Sequence, residues 1–505
     1  MKQFTLLVLL CMCSNSMVIA QFTYFSQLTG IQGDEEIEQV SNIEVVNDGY
    51  VVWGGGANNQ IGLFHFVRKH DFQGQLIDQT TVVYYPEDYL YSGIVNSFQY
   101  NPHTDEFVML QGAETPTGVQ GRMLAFNQNL DLVSDLYYDI YPPNTYFYGF
   151  LIEEDGYVIT GEQGSDINSE GTFIAKLDFE GDVLWNEILQ PEVYQQIYRN
   201  LSIIPVQEGY LLAGRGRALF NDFGILTKVS NQGNVLDVVN SVDLTMPRSY
   251  GMLACELSNG EILSLQAFGY EWVEEFGNPH IYWTKTRLRK LNPETLEFYD
   301  PVIEHFTNYE MHWGGVNKVL PTPDGGAIFV GTNLGNYFDS DAWLMKINSD
   351  GNEEWFKNVN YQTCNDCENV LYDIELAPDG GYIAAGYFIN NAVDPRSSSW
   401  LVKVDACGDL EWQGCQPLSV PERYAQSFAV YPNPSAGRFT LESTTQAKVD
   451  AYSVYDLSGR LVVQEAVNAL TDGLQIELDV PSGFYTLQLR LEGGRMEAYK
   501  IQMVK

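Results

Sequence analysis

Short apolar runs bounded by tight turns recur through the first 412 residues. Each run begins with an Asp-Gly or similar turn, continues with about four apolar residues and ends at Gly, as in Asp48–Gly54. The interval between copies averages about 55 residues, which is close to the length of a propeller blade and well above that of helical repeats. The seven copies begin at Asp48, Glu106, Asp155, Glu208, Asn259, Asp324 and Asp379.

A second apolar pattern follows the first at a variable distance. It places Lys near the end of a strand-length run, as in Phe173–Asp178, Trp343–Asn348 and Trp400–Asp405, and a Gly turn and a Trp follow it. Runs of this length, rich in aromatic and β-branched residues, favour strands over helices. We name the strands of one repeat A, before the Asp-Gly turn; B, after it; C, at the second pattern; and D, at the closing Trp. Seven such repeats predict a seven-bladed β-propeller.

The ends of the repeat region predict how the ring closes. Trp355, in strand D of the sixth repeat, precedes Asp379 by 24 residues, and Tyr24 precedes Asp48 by the same distance. Phe22–Gln27 therefore occupies the place of a strand D before the first blade. We expect this N-terminal strand to complete the last blade, which removes exposed sheet edges. An open or two-part β arrangement is the alternative.

The first 20 residues predict a secretory signal peptide. Lys2 precedes an apolar run from Phe4 to Met12, which is too short to span a membrane, and no later run approaches the length of a transmembrane helix. We therefore divide the chain into a signal peptide (1–20), a propeller (21–415), a linker (416–427) and a C-terminal Ig-like β-sandwich (428–505).

Charge restricts the partners of the mature protein. The chain has 27 Lys and Arg against 66 Asp and Glu, a net charge of −39, and the acids are scattered along it. Such a surface repels phosphate backbones and argues against nucleic acid as a partner. A solubilising exterior is favoured over a surface made for cation capture.

Five cysteines remain after the signal peptide. In an oxidising exterior, Cys364 with Cys367 and Cys407 with Cys415 are plausible local disulfides, and Cys255 is then a lone buried thiol. A zinc site at Cys364 and Cys367 lacks a second ligand pair.

The long connections predict the working face. The A–B and C–D turns are tight, whereas the B–C and D–A connections are long, irregular and aromatic, and the longest runs from Gln266 to Arg287. Aromatic rings with polar edges suit sugar stacking or peptide anchoring, although packing between blades is the alternative for each ring. The candidate ligand-binding residues are Tyr89, Tyr91, Tyr146, Trp272, Tyr282, Trp283, His312 and Trp313.

Motifs for catalysis are not found in this sequence. The six His show no metal-ligand spacing, and there is no nucleophile elbow, P-loop or dinucleotide fingerprint. Asp339–Asp341 and Asp166–Asn168 offer oxygen atoms to calcium, but solvated turns are favoured there. We expect no cofactor and assign no catalytic residue; a glycosidase pair among so many carboxylates needs geometry to locate.

The C-terminal residues carry four motifs in order. These are Tyr431–Pro434, Asp456–Arg460, Gly483–Tyr485 and a basic last strand that ends at Lys505. Together they resemble the type A C-terminal sorting domain of the type IX secretion system. The resemblance implies a sorting signal that includes Pro432, Asn433, Pro434, Gly437, Asp456, Gly459, Arg460, Gly483, Tyr485, Lys500 and Lys505. It also implies recognition by the type IX machinery, cleavage in the preceding linker, and a secreted or outer-surface location in a Gram-negative bacterium.

The sequence thus predicts an exported propeller that binds carbohydrate or an extracellular protein through its long-loop face. One alternative is a secreted glycan-active hydrolase with paired carboxylates on the same face. A second alternative, a purely structural matrix component, predicts a shallow face without an aromatic cluster.

Overall fold

The protein is described from a computed structural model. Its described residues are 24–29, 37–58, 62–83, 90–92, 97–115, 118–140, 145–165, 168–189, 196–218, 221–240, 248–275, 278–299, 303–306, 315–334, 340–364, 366–410, 428–433, 435, 437–443, 448–455, 461–470, 474–478, 480–481, 483–491 and 496–503. These residues form strands and turns without a helix. The chain divides into two compact units, residues 1–418 and 419–505.

Strands of the first unit follow the A-to-D order in successive antiparallel groups. β1 (Phe25–Leu28) comes before the first group. The first group contains β2 (Ile37–Val46), β3 (Gly49–Asn58), β4 (Gly62–His70) and β5 (Leu76–Val83). The second contains β6 (Leu90–Ser92), β7 (Phe98–Asn101), β8 (Glu106–Thr115), β9 (Gly118–Phe126) and β10 (Leu132–Tyr138). The third contains β11 (Thr145–Glu153), β12 (Gly156–Ser165), β13 (Asn168–Leu177) and β14 (Val183–Leu189).

The remaining groups repeat this arrangement. The fourth contains β15 (Gln196–Val206), β16 (Gly209–Ala218), β17 (Asn221–Ser230) and β18 (Val235–Asn240). The fifth contains β19 (Arg248–Glu256), β20 (Ile262–Glu275), β21 (Asn278–Leu291) and β22 (Ile303–Phe306). The sixth contains β23 (Gly315–Pro321), β24 (Ala327–Leu334), β25 (Ser340–Ile347) and β26 (Glu353–Asn358). The last contains β27 (Cys367–Leu376), β28 (Tyr382–Asn390) and β29 (Asp394–Val404).

The N-terminal strand pairs with the last group. β1 lies antiparallel to β29, with Phe25 opposite Lys403 and Leu28 opposite Trp400. This is the pairing that the equal spacing before Asp48 and Asp379 predicts. β1 thus takes the position of a strand D and covers the edge of β29.

Turns of one group pack against strand D of the group before it. Gly408, in the last group, has φ +77°, and a Cβ there would lie 2.7 Å from the ring of Trp355 in β26. Gly74, in the first group, has φ +79°, and a Cβ there would lie 2.7 Å from the ring of Phe25 in β1. Only Gly suits these positions, because they combine a left-handed backbone with a close aromatic neighbour.

Hydrophobic cores lie between neighbouring groups. One core joins Val40 and Tyr50 of the first group to Ile383 and Leu401 of the last. Other cores join the first group to the second and the second to the third. In addition, β2 contacts β27, β28 and β29, so the last group packs against the first.

The structure corrects the expectation of an irregular loop from Gln266 to Arg287. β20 and β21 each have 14 residues and pair from Ile262 opposite Leu291 to Glu275 opposite Asn278, so the described part of this segment is one long hairpin. Pairing satisfies the backbone hydrogen bonds that an irregular loop would leave to water, and the aromatic and β-branched residues of the segment favour strands.

The C-terminal unit has two sheets that share one core. Phe439, Val454 and Leu487 belong to this core. One sheet contains β30 (Phe428–Tyr431), β31 (Arg438–Ser443) and β34 (Leu474–Glu477). The other contains β32 (Val449–Tyr455), β33 (Leu461–Leu470), β35 (Gly483–Leu491) and β36 (Met496–Met503).

Candidate functional site

The A strands carry bulges that redirect their side chains. The register between strands A and B shifts at Val40/Asn42, Asn200/Ser202, Val316/Lys318 and Leu371/Asp373. A bulge adds one residue to a strand and re-aims the side chains that follow it. Lys318 and Asp373 each come directly after such a shift, so their orientation depends on the bulge.

One residue or more from the A strand of every group lines a single cavity, which we call the inner-strand cavity. Its volume is about 370 Å³. Most of its wall is aliphatic, including Leu151, Ile204 and Leu320. The A strands contribute Glu44 from β2, Gln99 from β7, Phe150 from β11, Ser202 from β15, Cys255 from β19, Lys318 from β23 and Glu375 from β27.

Lys318 lies at the centre of the charged groups in this cavity. Its Nζ is 2.9 Å from Asp373 Oδ1 and 3.9 Å from Glu375 Oε1. Asp373 is buried, and its carboxylate also accepts hydrogen bonds from the backbone N–H of Ile43 (3.1 Å) and of Ile374 (2.9 Å). Asp373 therefore holds Lys318 in place and connects β2, β23 and β27.

Glu44, Glu256 and Glu375 are the carboxyl residues that line the cavity. Burial raises the pKa of Glu375 to about 7, an effect that Lys318 opposes and Asp373 reinforces. Burial, together with Glu375, raises the pKa of Glu44 well above its usual value. Burial disfavours the charge on Lys318, but Asp373 and Glu375 outweigh it and raise the pKa of Lys318. The cavity thus combines a fixed cation with two carboxyls, Glu44 and Glu375, whose pKa values burial raises.

Hydrogen bonds between A strands frame the cavity. Gln99 Nε2 in β7 donates to the Phe150 carbonyl in β11 at 2.8 Å. Asn317 Nδ2 in β23 donates to the Leu371 carbonyl in β27 at 2.6 Å. These side chains satisfy backbone carbonyls of the neighbouring A strand and connect the strands that form the cavity wall.

Sequence reasoning missed these residues, although a signal is present. Asn42-Ile43-Glu44 and Asp373-Ile374-Glu375 place polar residues on both sides of an apolar one, in the A strands of the first and last groups. Those groups are neighbours, so the two segments meet. Charged residues at alternate positions of a strand that should be innermost predict a polar inner site.

Among the residues that sequence reasoning proposed for ligand binding, the side chain of Tyr146 is described, and it does not line this cavity. Tyr146 lies in β11 and is buried. The backbones of Tyr91, Trp272, Tyr282 and Trp283 lie in β6, β20 and β21, and their side chains are outside the description. Tyr89, His312 and Trp313 lie outside the described residues. Their role in binding stays a prediction.

The described cysteines are either disulfide-bonded or free. Cys364 and Cys367 form a disulfide with a Cα–Cα distance of 5.4 Å. Cys407 is also disulfide-bonded, and Cys415 lies outside the described residues. Cys255 is free and buried, and burial raises the pKa of its thiol to about 12. The thiol of Cys255 is therefore protonated and suits a packing role.

The described ranges contain neither a metal-binding cluster nor a membrane-spanning helix. No group of three or more His, Cys, Asp or Glu there is arranged to hold a metal ion. No helix in those ranges is long and apolar enough to cross a membrane. The predicted signal peptide and the linker at 416–427 lie outside the described residues.

The described sorting-signal residues lie in turns and strands of the C-terminal unit. Pro432 and Asn433 are exposed after β30, and Gly437 has φ +113°. Tyr485 is buried in β35, and its hydroxyl donates to the Pro481 carbonyl at 3.0 Å. Gly483 lies in β35 and Lys500 in β36, whereas Pro434, Asp456, Gly459, Arg460 and Lys505 lie outside the described residues.

The solved structures that resemble this chain in fold have low sequence identity and low TM-scores. An ulvan lyase of a polysaccharide lyase family has a TM-score of 0.43 at 9% identity, covering 74% of this chain and 96% of its own. The α-L-arabinanase of Penicillium chrysogenum has a TM-score of 0.35 at 11% identity, covering 75% and 97%. The WD40 domain of SCAP from fission yeast has a TM-score of 0.35 at 8% identity, covering 77% and 99%. At such scores these likenesses assign no activity to this chain.

Comparison of the sequence with protein families assigns the C-terminal unit. No curated protein matches the chain. Residues 429–502 match the family described as Secretion system C-terminal sorting domain. This match covers the strands and turns in which the described sorting motifs lie. The chain therefore ends in a C-terminal sorting domain of the type IX secretion system, and the protein is exported to the cell surface or secreted by a Gram-negative bacterium.

Proposed function

We propose that this exported protein is a seven-bladed β-propeller that binds an extracellular carbohydrate in the inner-strand cavity. In this proposal the N-terminal strand closes the ring, and the C-terminal unit is an Ig-like sandwich. The observation that carries the proposal is the contribution of every A strand to one cavity. Contacts between successive groups, and between the last group and the first, also support a closed ring.

The chemistry of the cavity suits a hydroxyl-rich ligand. Small-molecule sites are mostly apolar, with a few fixed polar groups that orient the ligand. Leu151, Ile204 and Leu320 offer surfaces for the C–H faces of a sugar. Glu44, Glu375 and Lys318 offer acceptors and a donor for its hydroxyls, and Asp373 keeps Lys318 in position.

The aromatic residues of the long connections form the second part of this proposal. Trp272, Trp283 and Trp313 would extend the binding surface to a longer glycan or to a protein ligand. Export through the signal peptide 1–20, cleavage in the linker 416–427 and the absence of a cofactor belong to the same proposal.

A glycan-binding array with the mature full-length protein tests this function. We expect binding to a defined set of glycans, and we expect Glu375→Gln and Lys318→Met to weaken it without loss of secondary structure. Trp272→Ala, Trp283→Ala and Trp313→Ala test the long connections separately. Binding that depends only on these Trp residues would place the site outside the cavity, and binding to no glycan would reject a carbohydrate ligand.

A glycan-active hydrolase is the second candidate function. The observation that favours it is the pKa of Glu375, which burial raises to about 7, next to a second carboxyl held by Lys318. A general acid of a glycosidase needs a raised pKa, and a partner carboxylate must lie within about 5–10 Å. Release of reducing sugar from a glycan that binds, and its loss in Glu375→Gln, would support hydrolysis over binding alone.

A further inference from the structure

The outermost strands of the first four groups begin with a pair of exposed apolar residues. Each pair stands at the start of β5, β10, β14 or β18, which lie at the ends of their sheets. The pairs are Leu76–Ile77, Leu132–Val133, Val183–Leu184 and Val235–Leu236. We call these four pairs the outer-strand row.

Positions in the outer-strand row are structurally equivalent. Each pair follows a residue in the left-handed conformation by one intervening residue, as Gly181 precedes Val183. The first residue of each pair lies opposite the last core residue of strand C, as Leu76 opposes His70. The sixth group has Glu353–Glu354 at the same place, with Glu353 opposite Ile347. Charged residues are therefore compatible with this position of the fold.

The large apolar side chains of the outer-strand row are considerably exposed to solvent. The eight side chains are between 37% and 55% exposed. Single exposed apolar residues are ordinary, but outer strands of sheets usually carry charges that prevent edge-to-edge association. The sixth group follows that rule, whereas the first four groups repeat an exception to it. A repeated exception at equivalent positions indicates a surface that another molecule covers.

The charges beside the row indicate the sign of that molecule. An exposed Asp is adjacent in sequence to each pair, namely Asp78, Asp131, Asp182 and Asp237. Within the described ranges none of these four carboxylates forms a salt bridge. Three of them accept only local hydrogen bonds in the described ranges, from Gln79, Asn127 and Val238. Exposed carboxylates without an ion-pair partner, next to aliphatic side chains, complement a surface that combines Lys or Arg with aliphatic residues.

We propose that the outer-strand row docks an extracellular protein whose contact surface carries Lys or Arg beside aliphatic side chains. A second copy of this chain has a charge of the wrong sign for this surface, because its net charge is −39 and its own outer-strand row carries Asp. The docking surface is distinct from the inner-strand cavity and extends the proposed function to a protein partner.

A set of three synthetic peptides tests the proposal on the mature full-length protein. The first peptide has two Lys-Leu-Val-Lys segments joined by Gly-Ser; the second replaces Leu-Val by Ser-Ser; the third replaces Lys by Glu. Fluorescence anisotropy measures binding at about 0.15 M salt, where long-range attraction is screened. We expect the first peptide to bind at least about tenfold more tightly than the other two.

Substitutions in the row provide the matched comparison. The variant Ile77→Ser/Val133→Ser/Leu184→Ser/Leu236→Ser should lose at least about tenfold in affinity for the first peptide, whereas Leu63→Ser/Val393→Ser, at exposed apolar positions elsewhere, should bind like the wild type. Circular dichroism checks the fold, and the pair Ile77→Ser/Val133→Ser replaces the fourfold variant if that variant is unfolded.

Three results would overturn the proposal. Equal binding of the Ser-Ser peptide would show attraction by net charge alone. Unchanged affinity in the row variants would place the contact elsewhere. Sedimentation velocity that shows a wild-type dimer and a monomeric row variant would identify a second copy as the occupant.

Discussion

Trp400 Nε1 donates a hydrogen bond to Ser26 Oγ at 2.9 Å, although 374 residues separate them. Trp400 is fully buried in β29, and Ser26 lies in β1, opposite Val402. The indole N–H would otherwise be an unpaired donor in the core, which is costly. This contact fixes the N-terminal strand on the last group at a single register.

Removal of the N-terminal strand should therefore destabilise the first unit. Ser26→Ala should lower the free energy of unfolding by about 1–2 kcal/mol, because the donor of Trp400 loses its partner. Deletion of residues 21–29 should cost more, since it also exposes the edge of β29 and the ring of Phe25 no longer covers Gly74. Urea unfolding followed by Trp fluorescence measures both changes.

Thr81→Ala, at an exposed position of β5, is the control and should change stability by less than about 0.5 kcal/mol. Equal stability of the deleted and the complete protein would show that β1 does not close the unit.

The pairing of β1 and the strand order could be predicted from sequence because they depend on spacing. The equal distance from Tyr24 to Asp48 and from Trp355 to Asp379 indicated where β1 belongs, and β1 pairs there. The segment between Gln266 and Arg287 is predicted to be a long irregular connection, whereas its described residues pair as a hairpin. Its pairing as a hairpin depends on cross-strand contacts, which a single sequence does not specify.

The two sequence patterns of the repeat are joined by an ion pair. Lys346, from the second pattern, is fully buried, and its Nζ lies 2.7 Å from Asp324 Oδ2 at the A–B turn of the same group. Lys176 contacts Asp155 in the same way at 2.7 Å, and Lys403 contacts Asp379. The spacing that repeats within the chain therefore supports a structural ion pair between strand C and the turn before strand B.

Breaking the ion pair between Lys346 and Asp324 should be costly because it removes a carboxylate partner from a buried charge. Asp324→Ala should lower the free energy of unfolding by about 3 kcal/mol, since Lys346 then retains only Glu354 at 3.1 Å as a carboxylate partner. The double variant Asp324→Ala/Lys346→Met should recover part of that loss, because it removes the buried charge. Chemical unfolding at pH 7 measures both.

Asp394→Ala breaks the exposed pair with Arg396 and should change stability little, because solvent screens an exposed ion pair. A cost for Asp324→Ala no larger than that of Asp394→Ala would contradict a buried structural ion pair.

Two buried histidines predict acid sensitivity. Burial lowers the pKa of His65 and of His70 to about 4. An unfolded His titrates near 6.5, so protonation favours the unfolded chain and stability falls as the pH drops from about 6.5 to 4. Each His should remove about 2 kcal/mol between pH 7 and pH 4.5.

His70→Gln should reduce this pH dependence, even though it lowers stability at pH 7. The exposed His103 provides the comparison, and His103→Gln should keep the wild-type dependence. Urea midpoints at pH 7 and pH 4.5 measure the difference, and an unchanged dependence in His70→Gln would contradict its burial as a neutral group.

The candidate site could be predicted less well than the fold, for a physical reason. Lys318 and Asp373 follow bulges, and a bulge of one residue exchanges the faces of a strand. Alternation along the sequence therefore does not show which residues face inward. The Asn42–Glu44 and Asp373–Glu375 segments indicate polar inner strands, but their approach to Lys318 depends on the contact between distant groups.

Glu375 predicts a pH dependence of the opposite sign. Burial raises its pKa to about 7, so the folded state holds its proton more tightly than the unfolded chain does. This contribution to stability is complete below about pH 4.5 and is lost as the pH rises through 7, a decrease of about 2 kcal/mol from pH 5 to pH 8. Glu375→Gln, which stays neutral, should lack this contribution, whereas the opposite contribution of His65 and His70 remains.

Glu208→Gln removes an exposed carboxyl from an A–B turn and is the matched control. The change in stability from pH 5 to pH 8 should be more favourable in Glu375→Gln than in the wild type and in Glu208→Gln, because the opposite contribution of His65 and His70 is common to all three proteins. Because Glu44 also has a raised pKa beside Glu375, the double variant with Glu44→Gln should move this difference further in the same direction. Identical pH profiles of the wild type and the double variant would show that both carboxyls are ionised without cost, and the inner-strand cavity would then lack the proton that a general acid requires.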